Sequence, residues 1–450
     1  MGKERIPVIA IFDVGKTNKK LFLFDEHYQI VFERSARFME TVDEDGFPCE
    51  NLESLRLSVF DSLHEVFRRA EFDIKAINFT SYGASFVYLD QNGRPLTPLY
   101  NYLKDYPADM QEELHSAYGG ENKFALDSAS PSLGSLNSGK QIYRLMKEKP
   151  EVFKKVKYAL HLPQYLSFLV SGQLYSDMTS IGCHTALWDF TTKDYHRWVK
   201  DCRVDQKLAP IVNGKDVFSS TFPGSTYKVG TGLHDSSSAL IPYLINFHEP
   251  FVLISTGTWC ISMNPFNKRP LSKAELDKDC LFYLTYSGTP VKASRLFAGY
   301  EHELQSKRIA DHFNVTTARF KHFEINWPII EGLDLLIENY TLDAFSRVDL
   351  DSFKNYEEAY HALILCLVNA QVESTKLVLD EQNIKRIFVD GGFSKNHIYM
   401  NLLARRFADI EIYAASMAQA TAVGAALLIH EHWNTLPFPN NIIELRYYRA

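Results

Sequence analysis

Apolar residues recur along this chain in two arrangements. Residues 6–12 (IPVIAIF) and 20–25 (KLFLFD) are short apolar runs joined by Asp13-Val14-Gly15-Lys16-Thr17-Asn18-Lys19. A small-residue turn between two such runs predicts a β-hairpin. The same order returns as 251–255 (FVLIS), Thr256-Gly257-Thr258-Trp259 and Cys260-Ile261-Ser262-Met263. In the first half, Leu52, Leu55, Val59, Leu63, Val66 and Phe67 recur every three or four residues, which predicts an amphipathic helix over 51–70. It feeds a strand at 74–79 that ends at Thr80-Ser81-Tyr82-Gly83. The second half repeats that order, with a helix over 356–380, a strand at 384–389, the run Asp390-Gly391-Gly392-Phe393-Ser394-Lys395-Asn396, and a helix from His397 to Phe407. Strands alternating with helices predict an α/β fold, and the hairpins make each sheet mixed. Two domains of related design follow, 1–246 and 247–450, divided at Asn246-Phe247-His248-Glu249-Pro250.

The length of 450 residues suits that count. The 46% hydrophobic and 23% charged fractions exclude disorder, collagen and coiled coil. A formal charge of −7 with no long run of like charges argues against nucleic acid or an anionic membrane as partner, which leaves a small molecule or another protein. No segment approaches the ~18 consecutive apolar residues of a membrane helix. The start, MGKERIPVIAIFDVG, fits no signal peptide, and Ile6 stands where a myristoylation motif needs Ser or Thr. Six scattered cysteines without a CxxC pair read as reduced thiols of a cytoplasmic protein. His430 and His432 read as surface histidines.

Candidate chemistry gathers in four segments. The first turn contains Gly15-Lys16-Thr17 but is no P-loop, because Ala10 occupies the position of the earlier glycine and a strand follows where a helix is required. A hairpin turn of small residues can still present several N–H groups to phosphate, with Thr17 and Asn18 as further donors and Lys16 or Lys20 as positive charge. Asp13, at the strand end, is placed to hold Mg²⁺ directly or through its waters. The turn Thr256-Gly257-Thr258-Trp259 offers the same device without charge, so two turns can clamp one polyphosphate. In Gly230-Thr231-Gly232-Leu233-His234-Asp235-Ser236-Ser237-Ser238, Asp235 begins a small-residue helix. It reads either as an N-cap or as a carboxylate that accepts a proton from a substrate hydroxyl. The Gly391-Gly392 pair lies at the carboxyl end of a strand, where a flat ring can approach the backbone and Ser394 and Asn396 can bond to it; a plain βα turn explains the glycines as well.

Taken in order, these segments resemble the FGGY carbohydrate kinases, nearly end to end. The resemblance implies two ribonuclease-H-like domains with the active site in the cleft between them, ATP and Mg²⁺ as cofactors, and a sugar as substrate. It also implies nucleotide contacts from Gly15, Lys16, Thr17, Asn18, Lys20, Thr256, Gly257, Thr258, Gly391, Gly392, Ser394 and Asn396, with Asp13 at the metal. The stretch from Ala414 to Ser416 together with Ala420 to Gly424 is similar to the family's closing small-residue segment. His234-Asp235 is similar to the pair of the rhamnulokinase and fuculokinase branch, in which that Asp is the catalytic base. On the substrate side, the resemblance implies sugar contacts from Gly83, Ala84, Ser85, Tyr102, His234 and Asp235. Ser85 stands where the branch has an acidic residue, Lys104 stands where the family has a forked Arg contact, and Phe393 replaces a third glycine. The expected activity is phosphorylation of a ketose or deoxyketose at a primary hydroxyl, with a homodimer as a candidate assembly. A sugar-binding regulator of the same fold and an actin-like or chaperone-like ATPase are the rival readings.

Overall fold

The structure is a computed structural model that describes residues 5–16, 19–36, 39–333, 341–379, 384–417 and 419–449. The first hairpin forms as β1 (Ile6–Val14) and β2 (Lys19–Asp25), followed by β3 (Ile30–Ala36). β1 runs two residues beyond the apolar run, because Asp13 and Val14 pair with Lys20 and Lys19 on one side and with Thr80 and Ser81 on the other. Asp13 therefore sits in the strand rather than in the turn. Helix α1 (Leu52–Phe67) is capped by Asn51, whose Oδ1 accepts from the Ser54 N–H at 3.0 Å, and it buries Leu52, Leu55, Val59, Leu63 and Val66. It leads to β4 (Phe72–Ser81), which lies parallel to β1. The sheet is completed by β5 (Val217–Ser219), β6 (Lys228–Gly230) and the two-residue β7 (Leu233–His234), the last two parallel to β4. The strand order is β5-β6-β4-β1-β2-β3, with β7 beside β4.

After helix α2 (Asp235–Asn246) the plan repeats. Strands β8 (Phe251–Thr256), β9 (Cys260–Asn264), β10 (Cys280–Leu284) and β11 (Pro290–Leu296) precede helices α3 (Ala298–His312) and α4 (Tyr356–Lys376). Then come β12 (Arg386–Gly391), α5 (His397–Arg406), β13 (Glu411–Ser416), α6 (Ala420–Leu428) and β14 (Glu444–Tyr448). The second sheet has the order β10-β11-β9-β8-β12-β13-β14. In both sheets an antiparallel hairpin opens the unit and a later strand joins its first strand in parallel, β4 on β1 and β12 on β8. Two units of one design with mixed sheets match the expected fold class.

The two sheets are not covered independently. Helix α6, from the end of the chain, lays Ala422, Val423 and Ala426 on Ile9, Ile11, Phe22 and Phe24 of the first sheet. Helix α2, from the first half, lays Leu240 and Tyr243 on Phe251, Leu253 and Phe388 of the second. Where these helices cross, Ser238 Oγ donates to the Thr421 carbonyl at 2.8 Å, and Asn78 Nδ2 of β4 donates to the Ala425 carbonyl at 2.8 Å. A fragment 1–246 lacks α6 and exposes four core residues of β1 and β2. It is expected to give no cooperative unfolding transition by circular dichroism, whereas a sharp transition would show that the first sheet does not depend on α6.

His430 is not a surface residue. It is buried, its Nδ1 shares a 2.7 Å hydrogen bond with the Tyr28 hydroxyl, and its Nε2 donates to the Leu436 carbonyl at 2.8 Å. Burial between the β2–β3 turn and the C-terminal segment explains the histidine better than an exposed helix end.

Candidate active site

The ladder of β1, β4 and β7 sets the first cluster. Thr80 of β4 pairs with Asp13 on one side and Leu233 on the other, so the end of β1 and the start of α2 meet across Ser81. Asp13 accepts a hydrogen bond from Thr421 Oγ1 at 2.6 Å. Burial pushes its carboxyl up to about 6; the Thr421 bond opposes this, the Asp235 charge adds to it, and Lys20 opposes it. The two carboxylates thus lie near enough for one charge to bear on the other.

Asp235 is the first residue of α2 and is not its N-cap, a position held by His234. Its Oδ1 accepts from the Ser236 N–H at 2.6 Å and lies 3.3 Å from His234 Nε2, while the side chain remains one-third exposed. His234 is buried, and burial depresses its basicity although the Asp235 charge opposes the shift; the ring is held neutral. Its Nδ1 lies 3.3 Å from Ser237 Oγ, and its backbone N–H donates to Thr179 Oγ1 at 2.9 Å. The imidazole thus lies beside a carboxylate that remains partly open to solvent, and the N-cap position belongs to His234 rather than Asp235.

Thr17 and Asn18 lie outside the described residues. Lys16 and Lys19 Nζ approach Glu50 Oε1 at 3.5 and 3.4 Å, and Lys20 pairs with Glu33 at 2.5 Å. Glu50, a buried carboxylate that also accepts from Tyr82 OH at 3.2 Å, was not signalled by any motif, since it stands in a short strand far from the turn in sequence. In the second turn Thr256 Oγ1 donates to the Asp390 carbonyl at 2.6 Å and accepts from the Phe393 N–H at 3.0 Å, so it braces β8 against β12. Gly257 N–H donates to the Trp259 carbonyl at 2.9 Å, and Thr258 offers its carbonyl to the Tyr300 N–H at 3.2 Å.

At the end of β12, Gly392 borders a cavity of about 570 Å³ whose wall includes His302, Phe320, Phe323 and Asn396. Ser394 and Asn396, expected to bond to a ring, also bond within the protein. Ser394 Oγ donates to the Gly391 carbonyl at 2.8 Å, and Asn396 caps α5 and donates from Nδ2 to Tyr360 OH at 2.8 Å. Asn396 lies in the cavity wall, and both side chains brace the end of β12. His302, Phe320 and Phe323 carry the aromatic character of the cavity; they lie in a segment without a motif, and their only sequence signal is aromatic density around 297–323.

In the first unit, a Cβ on Gly83 would come within 2.8 Å of His234 Cδ2, so only the bare backbone fits beside that imidazole. Ala84 offers its carbonyl to Gln141 Nε2 at 2.7 Å, and buried Ser85 donates to the Tyr100 carbonyl at 3.0 Å. The Tyr102 ring packs 5.5 Å from Tyr82, and burial together with the Asp235 and Glu50 charges raises its phenol above the ordinary tyrosine value. Lys104 is held by Asp43 and Asp45 at 2.5 Å each and makes no fork toward the cleft.

Comparison with known proteins places this geometry. The family model described as FGGY family of carbohydrate kinases, N-terminal domain, matches residues 8–241, and that described as Carbohydrate kinase FGGY, C-terminal domain, matches residues 248–436. The chain belongs to the FGGY family of carbohydrate kinases. It is 26% identical over 188 residues to a rhamnulokinase of Halalkalibacterium halodurans, covering 42% of this chain and 37% of that one. It is 24% identical over 279 residues to a rhamnulokinase of Pectobacterium atrosepticum, covering 58% and 54%. The chain thus spans about half the length of these curated relatives or less. A carbohydrate kinase from Novosphingobium aromaticivorans superposes with a TM-score of 0.81 at 22% identity, over 99% of this chain and 95% of that one, and shares the fold. No helix among the described residues of this FGGY protein is long and apolar enough to cross a membrane.

Proposed function

We propose that this chain is a cytoplasmic ATP-dependent sugar kinase that transfers the γ-phosphoryl group to a primary hydroxyl of a ketose or deoxyketose, with L-rhamnulose and L-fuculose as leading substrates. The observation that carries it is Asp235, one-third exposed, 3.3 Å from the buried His234 ring and near enough for its charge to bear on Asp13. In this reading 1–246 is the sugar lobe and 247–450 the nucleotide lobe. The six cysteines, all free, support the compartment.

Asp235 accepts the hydroxyl proton as the oxygen attacks phosphorus, while His234 holds Oδ1 so that the other oxygen faces the acceptor. Gly83, Ala84 and Tyr102 form the sugar wall, and the cavity at Gly392 suits a purine among aromatic side chains. Ser85 and Lys104 are engaged within the protein, so hydroxyl selection falls to the remaining groups of that wall. The site also fits a divalent cation: Asp13 is a hard oxygen donor whose carboxyl is pushed up by burial and, further, by the Asp235 charge, and a cation there would favour its ionised form. Mg²⁺ held at Asp13 would neutralise charge on the phosphates. Thermal-shift screening of a ketose and aldose panel with and without Mg²⁺-ATP tests the substrate class. A ketose is expected to raise the melting temperature, and stabilisation by ATP with no response to any sugar would favour an ATPase.

A pH prediction follows from Asp13. Its folded-state pKa of about 6 lies above the ordinary carboxylate value of 3.8, so between those values the folded protein binds the extra proton. This contribution to stability is present below pH 4 and is lost as pH rises through 6. Asp13→Asn is therefore expected to melt higher than wild type at pH 7.5, with the gap closing by pH 4, while its kinase rate falls. Equal melting temperatures across that range would contradict the buried-charge account.

A further inference from the structure

The phosphoryl-transfer reading leaves a neighbouring side-chain cluster without a role. Cys183 and His184 follow the short helix Met178–Ile181, and one ligand atom from each lies with one from His234 so that all three are within 4.8 Å of one another, every side chain buried. The packing holds them together from separate elements. A Cβ on Gly83 would touch both Cys183 Sγ and the His234 ring, so those two lie side by side under the Gly83 backbone. The His184 ring meets the His234 ring edge-on at 6.0 Å, and Tyr283 backs both rings at 6.2 and 5.4 Å.

The donors in this cluster are weakly used. His184 Nδ1 is buried without a hydrogen-bond partner. His234 makes only 3.3 Å contacts from either nitrogen, and Cys183 Sγ donates to the Ser180 carbonyl at 3.2 Å and weakly to the Gly83 carbonyl at 3.8 Å. Burial lowers both imidazoles and raises the Cys183 thiol, so the rings are disposed to offer a lone pair while the thiol keeps its proton until an ion displaces it. Carboxylates flank the cluster: Asp235 beside His234, and Asp177, which accepts from the Thr179 hydroxyl that also receives the His234 N–H. Arg295, whose charge bears on His184, is neutralised by Asp279 at 2.7 Å.

We propose that Cys183, His184 and His234 form a binding site for a soft divalent transition-metal ion, Zn²⁺ foremost, and that occupancy inhibits the kinase by competing with Asp235 for His234. Thiolate with two imidazoles is the donor set such ions prefer over Mg²⁺, which takes oxygen. On binding, the Cys183 thiol loses its proton to solvent, one metal–sulfur and two metal–nitrogen bonds form, water leaves the ion, and no electron is transferred. The fourth position falls to water or to Asp235. The binding half of the proposal is independent of the assigned activity; the inhibitory half rests on Asp235 as the base.

The test is titration of the metal-free full chain with Co²⁺, a spectroscopic substitute for Zn²⁺. One equivalent is expected to give a thiolate-to-cobalt charge-transfer band and the strong visible bands of four-coordinate Co²⁺, all removed by one equivalent of Zn²⁺. Cys183→Ser should lose the charge-transfer band, His184→Ala should weaken binding by ~10-fold or more, and Cys202→Ser should leave the spectrum unchanged, with melting curves confirming that each variant is folded. Absence of the four-coordinate spectrum in the wild type, or its persistence in Cys183→Ser, overturns the site. Inhibition is read as each protein's rate with Zn²⁺ over its own rate without it. A drop in the wild type that Cys183→Ser abolishes supports the inhibitory half, and binding with an unchanged ratio overturns that half. A zinc-free protein without kinase activity would count against the assignment of Asp235, not against the metal site.

Discussion

Replacing the Asp235 carboxylate by an amide, Asp235→Asn, is expected to lower kcat for sugar phosphorylation by roughly 10²–10⁴-fold, the range of general-base catalysis, with the sugar KM little changed. The amide keeps the shape and one hydrogen-bond acceptor, so His234 retains a partner for its Nε2 contact at 3.3 Å. What is lost is the capacity to take the hydroxyl proton as the new P–O bond forms. The fold should survive, because the carboxylate caps no other turn and is partly solvated, its protein contacts being His234 and its own neighbour Ser236. Steady-state kinetics beside a thermal melt separates the two effects. A variant that turns over the same sugar at the wild-type rate removes Asp235 from the mechanism.

The second large effect concerns stability and lies at the crossing of α2 and α6. A Cβ placed on Gly424 would stand 1.9 Å from the Ser238 carbonyl oxygen, a backbone atom that cannot swing away. Gly424→Ala must therefore push the two helices apart, loosening the contacts through which each half of the chain covers the other's sheet. Overpacking of this kind costs about 1–3 kcal/mol, and the rigid backbone neighbour puts this site at the upper end. Gly332→Ala, with no atom within 4 Å of the added methyl, is the control and should melt like wild type. Equal melting temperatures for the two variants would mean that the crossing is looser than described.

The duplicated plan was legible in the sequence because both units announce it with the same local signals. An apolar run, a small-residue turn and a returning apolar run can form little else than a hairpin, and the spacing of Leu52, Leu55, Val59, Leu63 and Val66 specifies a one-sided helix. Segment ends were less legible: β1 extends through Asp13 because strands on both sides continue to pair there, which is a tertiary effect. The exchange of α2 and α6 between sheets was not legible at all, since apolar spacing shows which face is buried but not against what. Asp235 was legible through its position after Leu233-His234 at a helix start. Glu50 was not, because a single carboxylate among 55 acidic residues has no pattern, and its importance arises only when the fold brings Lys16, Lys19 and Tyr82 to it. The internal bonds of Ser394 and Asn396 were not legible either, since residue type shows the capacity to hydrogen-bond but not which partners the fold supplies.

The central claim is that this cleft moves a phosphoryl group from ATP to a sugar hydroxyl. Phosphorus NMR of the purified chain with Mg²⁺-ATP and L-rhamnulose, L-fuculose or xylulose tests it directly, because it reports the acceptor as well as ADP. The account predicts a sugar phosphomonoester resonance growing in step with ADP for at least one ketose, and no ADP without sugar. ADP accompanied only by inorganic phosphate, or no ADP with any of the ketoses, would contradict it.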